Sequence, residues 1–202
     1  GVLSEEGSQL VPQTRAYWVV DPLAGTTTFA TGVRVWATSV ARAVDGRPSE
    51  VFLDVPALGQ RFVALRGRGV MRNEQALTTA TRQHVNSACV SLCSRSIRVL
   101  QRKPNQPFPG KIRLFGVASL NLVSVAMGQT IAALEATPKI WDLAAAWLVL
   151  DELGCPIRWL DIDPAELSPG QDLSQTSFPM LAAGSWSELA RFLPWGEALL
   201  QH

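Results

Sequence analysis

The chain has 202 residues, 47% hydrophobic and 17% charged, which is enough apolar material for one sizeable core or two small units sharing one. A formal net charge of +1, from 18 basic and 17 acidic residues, leaves no clustered positive charge for nucleic acid to meet. No apolar run reaches the roughly 18 residues that span a bilayer, so neither nucleic acid nor membrane is an expected partner.

Gly1 is not an initiator methionine, so the chain reads as processed, trimmed or started internally, and no signal peptide is visible. Residues 17–20 (Tyr-Trp-Val-Val) are β-prone and continuously apolar, which predicts a buried strand ending at Asp21-Pro22. A turn follows over Ala24-Gly25-Thr26-Thr27. Residues 33–44 read as a strand, and Asp45-Gly46 as a hairpin turn. Strands over Glu50–Val55 and Arg61–Leu65, joined by a turn at Pro56–Gln60, lead to a hairpin at Arg66–Gly69 that continues through Val70–Asn73. The first half is thus an antiparallel meander.

The pattern changes over Thr79 to Asn86. Ala88–Leu92 is a strand or a helix start, since periodicity does not separate the two. Pro104–Pro109 is a proline-rich loop and Lys111–Phe115 a strand. Ala118–Gly128 has helical spacing, and Thr130–Leu134 is a short strand. Asp142–Leu153 is a helix closed by Gly154. Ile157–Leu160 and Met180–Ala183 are strands on either side of an irregular loop at Gln171–Thr176. Ser185–Leu193 is a helix with Ser185 as N-cap and Glu188 in a capping box. Alternating strands and helices make this second half α/β.

Cys89, Cys93 and Cys155 are an odd, sparse set, which argues against a disulfide framework and for a reducing compartment. The expected location is cytoplasmic, and the cysteines read as core residues. On a helix, Cys89 and Cys93 would share a face. His84 and His202 are the only histidines, so neither a zinc site nor a histidine-based active site is expected.

Three segments carry the chemistry: Leu3-Ser4-Glu5-Glu6-Gly7, Trp18 to Phe29, and Trp141 to Ala146. Each places a carboxylate at a strand end or helix start. Gly25-Thr26-Thr27 lacks bulk beside the backbone, and helix N–H groups starting there could cradle a phosphate. Asp142 at a helix N-terminus can share its charge with a cation. Ligands that are all oxygen suit magnesium. Singly, a Glu-Glu pair is a solvated face, an Asp-Pro a turn and Asp142 a helix cap; their order along the chain points beyond that.

In that order the segments resemble the inositol monophosphatase family, whose first signature runs WxxDPxDGTxxF after GEE and whose second is WDxAAG before a helix ending in ExGG. Trp18–Phe29 matches the first at all marked positions but one, and Trp141–Ala145 matches the second, with Asp151-Glu152-Leu153-Gly154 beyond it. Smaller echoes are Gly67-x-Gly69 with Asn73, Arg113-x-x-Gly116-x-Ala118, and Glu135 seven residues before Asp142.

The resemblance implies an α/β, α+β-layered sugar-phosphatase fold. Residues 1–83 would be an antiparallel, metal- and phosphate-binding half, and residues 84–202 an α/β half that completes the site. It also implies a Mg2+-dependent phosphate monoester hydrolase for inositol or sugar phosphates. Magnesium would be held by Glu5, Asp21 and Asp142 and by the Leu23 carbonyl. Gly25, Thr26 and Thr27 would hold phosphate, with Thr26 and Asp21 as catalytic residues. Gly116, Ala118, Glu135 and Asp142 would face the alcohol.

Four departures set expectations. Ala24 stands where the family has a second aspartate that bridges metals, so one ligand is lost. Ser4 replaces a glycine before Glu5-Glu6, and Ala146-Trp147 follow where the family prefers glycine. The family's two upstream helices, with a water-activating aspartate, are not in this chain. One sheet face should therefore be uncovered, and either another segment, a second copy or another partner covers it, or the sequence is a fragment of a longer protein. The alternative to an impaired enzyme is a pseudoenzyme that keeps the fold as a binding or assembly subunit.

Overall fold

Alternation of inward apolar and outward side chains sets up the first half. The computed structural model describes residues 1–81, 88–103 and 105–200. There, β1 (Val2–Ser4), β2 (Ala16–Ala24), β3 (Ala37–Val44), β4 (Arg47–Val55), β5 (Gln60–Leu65), β6 (Gly69–Arg72) and β7 (Gln75–Leu77) form one sheet in sequence order. β1 pairs parallel with β2, and every later pair is antiparallel. Along β3, Ala37, Ser39, Ala41 and Ala43 are buried while the residues between them are half-buried. This period of two puts one face on the core.

The second sheet takes the order β11-β12-β10-β8-β9, with β8 (Cys89–Leu92), β9 (Lys111–Arg113), β10 (Ala132–Glu135), β11 (Ile157–Trp159) and β12 (Met180–Ala183). β8 runs parallel to both β9 and β10, and β12 antiparallel to β10 and β11. α3 (Ala118–Ala126) and α4 (Ile140–Glu152) lie between the sheets. α4 packs on β2–β6, and α3 packs on α4 and on the second sheet. α4 is buried almost throughout, with Trp141, Leu143, Leu148 and Leu150 in the main core. α5 (Trp186–Glu197) covers the far face of the second sheet with Phe192 and Trp195. α2 (Arg98–Arg102) adds Val99 to that smaller core. Small residues at Ala144, Ala145 and Ala146 let α4 approach the sheet closely.

Several boundaries differ from expectation. The strand expected from residue 33 begins at Ala37, because residues 33–36 fold back on the short helix α1 (Thr26–Ala30). Val33 N–H donates to the Thr28 carbonyl, and Phe29 meets Trp36 edge-on at 5.2 Å. Residues 88–92, left open between strand and helix, resolve as β8. Cys89 and Cys93 therefore do not share a helical face. α4 starts at Ile140 rather than Asp142, which becomes its third residue. Ser185 caps α5 by accepting from Glu188 N–H, which is one half of the expected capping box. Most of the expected change over Thr79 to Asn86, with Pro104, His84 and His202, lies outside the described residues.

Glu152, at the end of α4, gives the Gly67-x-Gly69 echo a structural meaning. Its two carboxylate oxygens accept from Gly67 N–H and Gly69 N–H, each at 2.7 Å. Gly67 and Gly69 both have positive φ, at 74° and 82°, so the turn suits residues without a side chain. One carboxylate thereby ties the β5–β6 turn to the central helix. Glu152→Ala removes both charge-assisted bonds and should cost about 2–3 kcal/mol at this half-exposed position. Urea denaturation checks it, and a change under about 0.5 kcal/mol would mean that solvent replaces the clamp.

Candidate active site

Asp21 was expected at the end of its strand. It lies instead within β2, which continues to Ala24, and the alternation through Tyr17 and Val19 turns it inward to full burial. Pro22 has no N–H to give the ladder. The β2–β3 register shifts between Asp21 and Ala24, leaving Pro22 and Leu23 bulged. Within the bulge, Asp21 Oδ1 accepts from Leu23 N–H at 3.0 Å, and the Leu23 carbonyl accepts from Thr26 Oγ1 at 3.2 Å. Asp21 Oδ2 is buried and has no hydrogen-bond partner.

β1 brings Glu5 alongside. Ser4 is opposite Val20 in the parallel pairing, so the next residue, Glu5, falls beside Asp21, and Glu5 N–H donates to the Val20 carbonyl at 3.3 Å. Asp142 comes from the opposite side on the first turn of α4, where its Oδ2 accepts from Lys139 N–H at 2.7 Å. Ser39, paired with Asp21 across the sheet, donates to the Trp141 carbonyl and fixes the start of α4 over this spot.

The electrostatics record the crowding. Burial, then the charges of Glu5 and Asp142 and a carboxyl–carboxyl contact with Glu5 that falls outside hydrogen-bond geometry, push Asp21 up to about 8. Burial pushes Asp142 up to about 6 against the Lys139 N–H bond that favours its charge. Fully buried Glu135 is pushed up to about 7 by desolvation, opposed by hydrogen bonds from Asn121 and Cys93. Only Asp142 has a compensating positive charge, that of Lys139, and burial outweighs it.

A cleft of about 460 Å³ opens beside them. Ala24, Gly25, Gly116, Ala118, Glu135 and Asp142 line it. Glu5, Asp21, Leu23, Thr26 and Thr27 do not. Asp21 lies behind the wall at Ala24, and Thr26 and Thr27 are exposed on α1. Gly25, at φ +89°, starts α1, and a Cβ there would come within 2.5 Å of Val117 Cγ2 and 2.8 Å of Thr28 Oγ1. Gly25 and the Gly116–Ala118 turn thus pack directly on each other. Thr28 Oγ1 completes the knot, donating to the Gly25 carbonyl at 2.7 Å and approaching the Val35 carbonyl.

Sequence reasoning missed Thr28, Arg95, Ser119 and Asn121, which also line the cleft. Asn121 Nδ2 donates to Glu135 Oε1 at 2.5 Å and orients that carboxyl. Its place one helical turn after Gly116–Val117 was a usable signal. Arg95 sits in a loop after an ambiguous segment and gave none.

A model of the inositol monophosphatase family matches residues 1–189. The chain belongs to the inositol monophosphatase family. The Nus factor SuhB of Xylella fastidiosa is 34% identical over 161 residues, covering 76% of this chain and 58% of that protein. The histidinol-phosphatase of Mycobacterium tuberculosis is 34% identical over 172 residues, covering 80% and 65%. The chain thus spans about three fifths of the length of these relatives. An IMPase/NADP phosphatase solved with Mg2+ and phosphate shares the fold, with a TM-score of 0.75 at 21% identity over 100% of this chain and 74% of that one. The layered architecture expected from the sequence is the family's. Within it, Glu5, Asp21 and Asp142 belong to one neighbourhood, while Thr26 and Thr27 are exposed and do not line the cleft.

The residues meet a hard cation in part. Asp21 Oδ2 is a buried carboxyl oxygen without a hydrogen-bond donor, and Glu5 lies beside it. Among the described residues, however, no group of three or more His, Cys, Asp or Glu side chains is arranged to enclose a metal ion. Asp142 is tied to its helix cap, and Ala24 puts a buried methyl on the cleft wall.

Proposed function

We propose that this chain carries the site of a Mg2+-dependent phosphate monoester hydrolase for inositol or sugar phosphates, weakened at Ala24. The unpartnered Oδ2 of Asp21, buried between Glu5 and Asp142, carries the reading. A buried carboxyl without a partner is costly to keep, and a divalent cation is the partner that would repay it. Asp21 and Glu5 would hold that ion, with Asp142 and the bulged Leu23 carbonyl completing its oxygen shell. The cation supplies positive charge to the ester and acidifies a bound water.

The protein's own groups do the rest. Thr26 Oγ1, anchored on the Leu23 carbonyl, keeps lone pairs to orient the attacking water. Gly25 lets a phosphate approach the backbone where any side chain would block it. Glu135, held by Asn121, faces the alcohol together with the Gly116–Ala118 turn. Titration calorimetry with Mg2+ tests the reading. One site in the millimolar range, lost in Asp21→Asn, is expected of a site short of one charge. Two tight sites would mean another ligand replaces the one missing at Ala24. No binding at all would remove the enzyme reading.

A second reading, the fold kept as an assembly subunit, is favoured by the outer face of the first sheet. Val20, Val40, Phe52, Val63 and Met71 fall in one cross-strand row, and Phe52, Val63 and Met71 are 37–41% exposed, with Trp18 at 44% nearby. Such a row invites a partner, which could be a second copy. Sedimentation of the purified chain should show concentration-dependent association, and a clean monomer would leave this face without a role.

A further inference from the structure

The alcohol end of the cleft holds more polar chemistry than orienting one hydroxyl requires. Arg95 lines it from the loop after β8, and its Nη1 donates to Thr137 Oγ1 at 2.9 Å. Thr137 follows Glu135 by two residues at the end of β10, so the guanidinium lies on the side of the alcohol-facing carboxyl. No ion pair among the described residues engages Arg95, although Glu135 and Asp142 line the same cleft. Among the described lining residues it is the sole lysine or arginine. A guanidinium steadied at one nitrogen keeps its other donors for a planar, two-oxygen anion.

A second observation marks the same end of the cleft as built for a polar ligand. Ser119 Oγ and Asn121 Oδ1, on the first turn of α3, are fully buried, belong to lining residues, and have no hydrogen-bond partner. Buried polar atoms are nearly always satisfied, so two unsatisfied neighbours in a cleft wall call for a ligand that brings hydrogen-bond donors. Hydroxyl groups on the alcohol would supply them.

We propose that Arg95 determines specificity by binding a second anionic group, a carboxylate, on the alcohol part of the ester, with that alcohol's hydroxyls meeting Ser119 and Asn121. The preferred ligands are then phosphate esters of hydroxylated acids rather than esters of neutral polyols. The inference rests on the phosphate-ester reading of the site, but its test does not require turnover.

Dissociation constants are measured by ligand-observed NMR in Mg2+ for 2-phosphoglycerate and glycerol 2-phosphate, which differ at one carbon by a carboxylate in place of a hydroxymethyl. The full-length protein should bind 2-phosphoglycerate at least tenfold more tightly. Arg95→Gln should abolish that preference and leave glycerol 2-phosphate unchanged, while Arg95→Lys should restore part of it. Ser119→Ala should weaken both ligands, since both carry a hydroxyl. Equal weakening of the two ligands in Arg95→Gln would place the guanidinium on the scissile phosphate and overturn the proposal, as would equal affinities in the unaltered protein. Phosphate release, followed separately, reports on the hydrolase reading alone.

Discussion

Ala24→Asp should raise Mg2+-dependent phosphate release by about a thousandfold or more, measured in the full-length protein with inositol 1-phosphate and an aryl phosphate. The Ala24 side chain is buried at the cleft wall, one bulge beyond Asp21. A carboxylate there would add a negative oxygen between the buried Asp21–Glu5 pair and the open cleft, where a second cation could be shared. Positioned charge on the leaving and attacking oxygens contributes several kcal/mol to such a step, and each 1.36 kcal/mol is about tenfold in rate. The gain should require Thr26, so the double variant with Thr26→Ala should fall back. The new carboxylate should also lower the melting temperature in chelator, because it joins Asp21 and Asp142, which the charge of Glu5 already raises, and Mg2+ should reverse that loss. A reverted protein that binds two metals yet stays inert would place the defect elsewhere and favour the assembly reading. An unaltered chain that already turns over at an ordinary enzyme's rate would mean that Ala24 is no deficit.

Much of this was legible because the informative residues are local. Alternation marked the strand within residues 33–44, and the Asp45-Gly46 turn fixed the β3–β4 hairpin, whereas β1 and β7 had no sequence signal and the strand expected to be buried over 17–20 alternates instead, with Trp18 44% exposed. The motif carboxylates could be placed in one neighbourhood because β1 pairs with β2 and α4 lands over β3. What was not legible depends on tertiary contact. Residues 33–36 are as β-prone as those that follow, but packing on α1 through Phe29 and Trp36 takes them out of the sheet. Asp21 looked like a strand end because Pro22 follows. A bulge absorbs the proline, and the strand continues with Asp21 buried inside it. The Glu152 clamp joins residues 83 and 85 apart in sequence, a separation at which spacing carries no information. Arg95 and Ser119 are visible only once β8, β10 and α3 surround one cleft.

The burial of Asp21 sets a stability-versus-pH signature that needs no substrate. Its carboxyl is raised from 3.8 to about 8 in the folded chain, chiefly by desolvation and then by Glu5 and Asp142. Between those values the native state holds a proton that the unfolded state has released. Native stability is therefore greatest at low pH and is lost as pH rises through that window. Glu135 and Asp142, raised to about 7 and about 6, add to the fall at its lower end, so the limb above pH 7 belongs mainly to Asp21. In chelator, the melting temperature should drop between pH 7 and pH 8.5. Asp21→Asn, which keeps the shape and removes the charge, should flatten that limb and leave the variant more stable than the unaltered chain at pH 8.5, by on the order of a few kcal/mol. At pH 5, where Asp21 is already neutral, the two proteins should melt within a few degrees of each other. Millimolar Mg2+ should restore the unaltered chain at pH 8.5 and leave Asp21→Asn unmoved, because the cation would take up the charge that Oδ2 otherwise bears alone. A melting temperature that rises or stays level from pH 7 to pH 8.5 in chelator would show that Oδ2 finds a protein partner in solution. The Asp21 carboxyl would then be a satisfied core group, and the main support for a cation at this site would be gone.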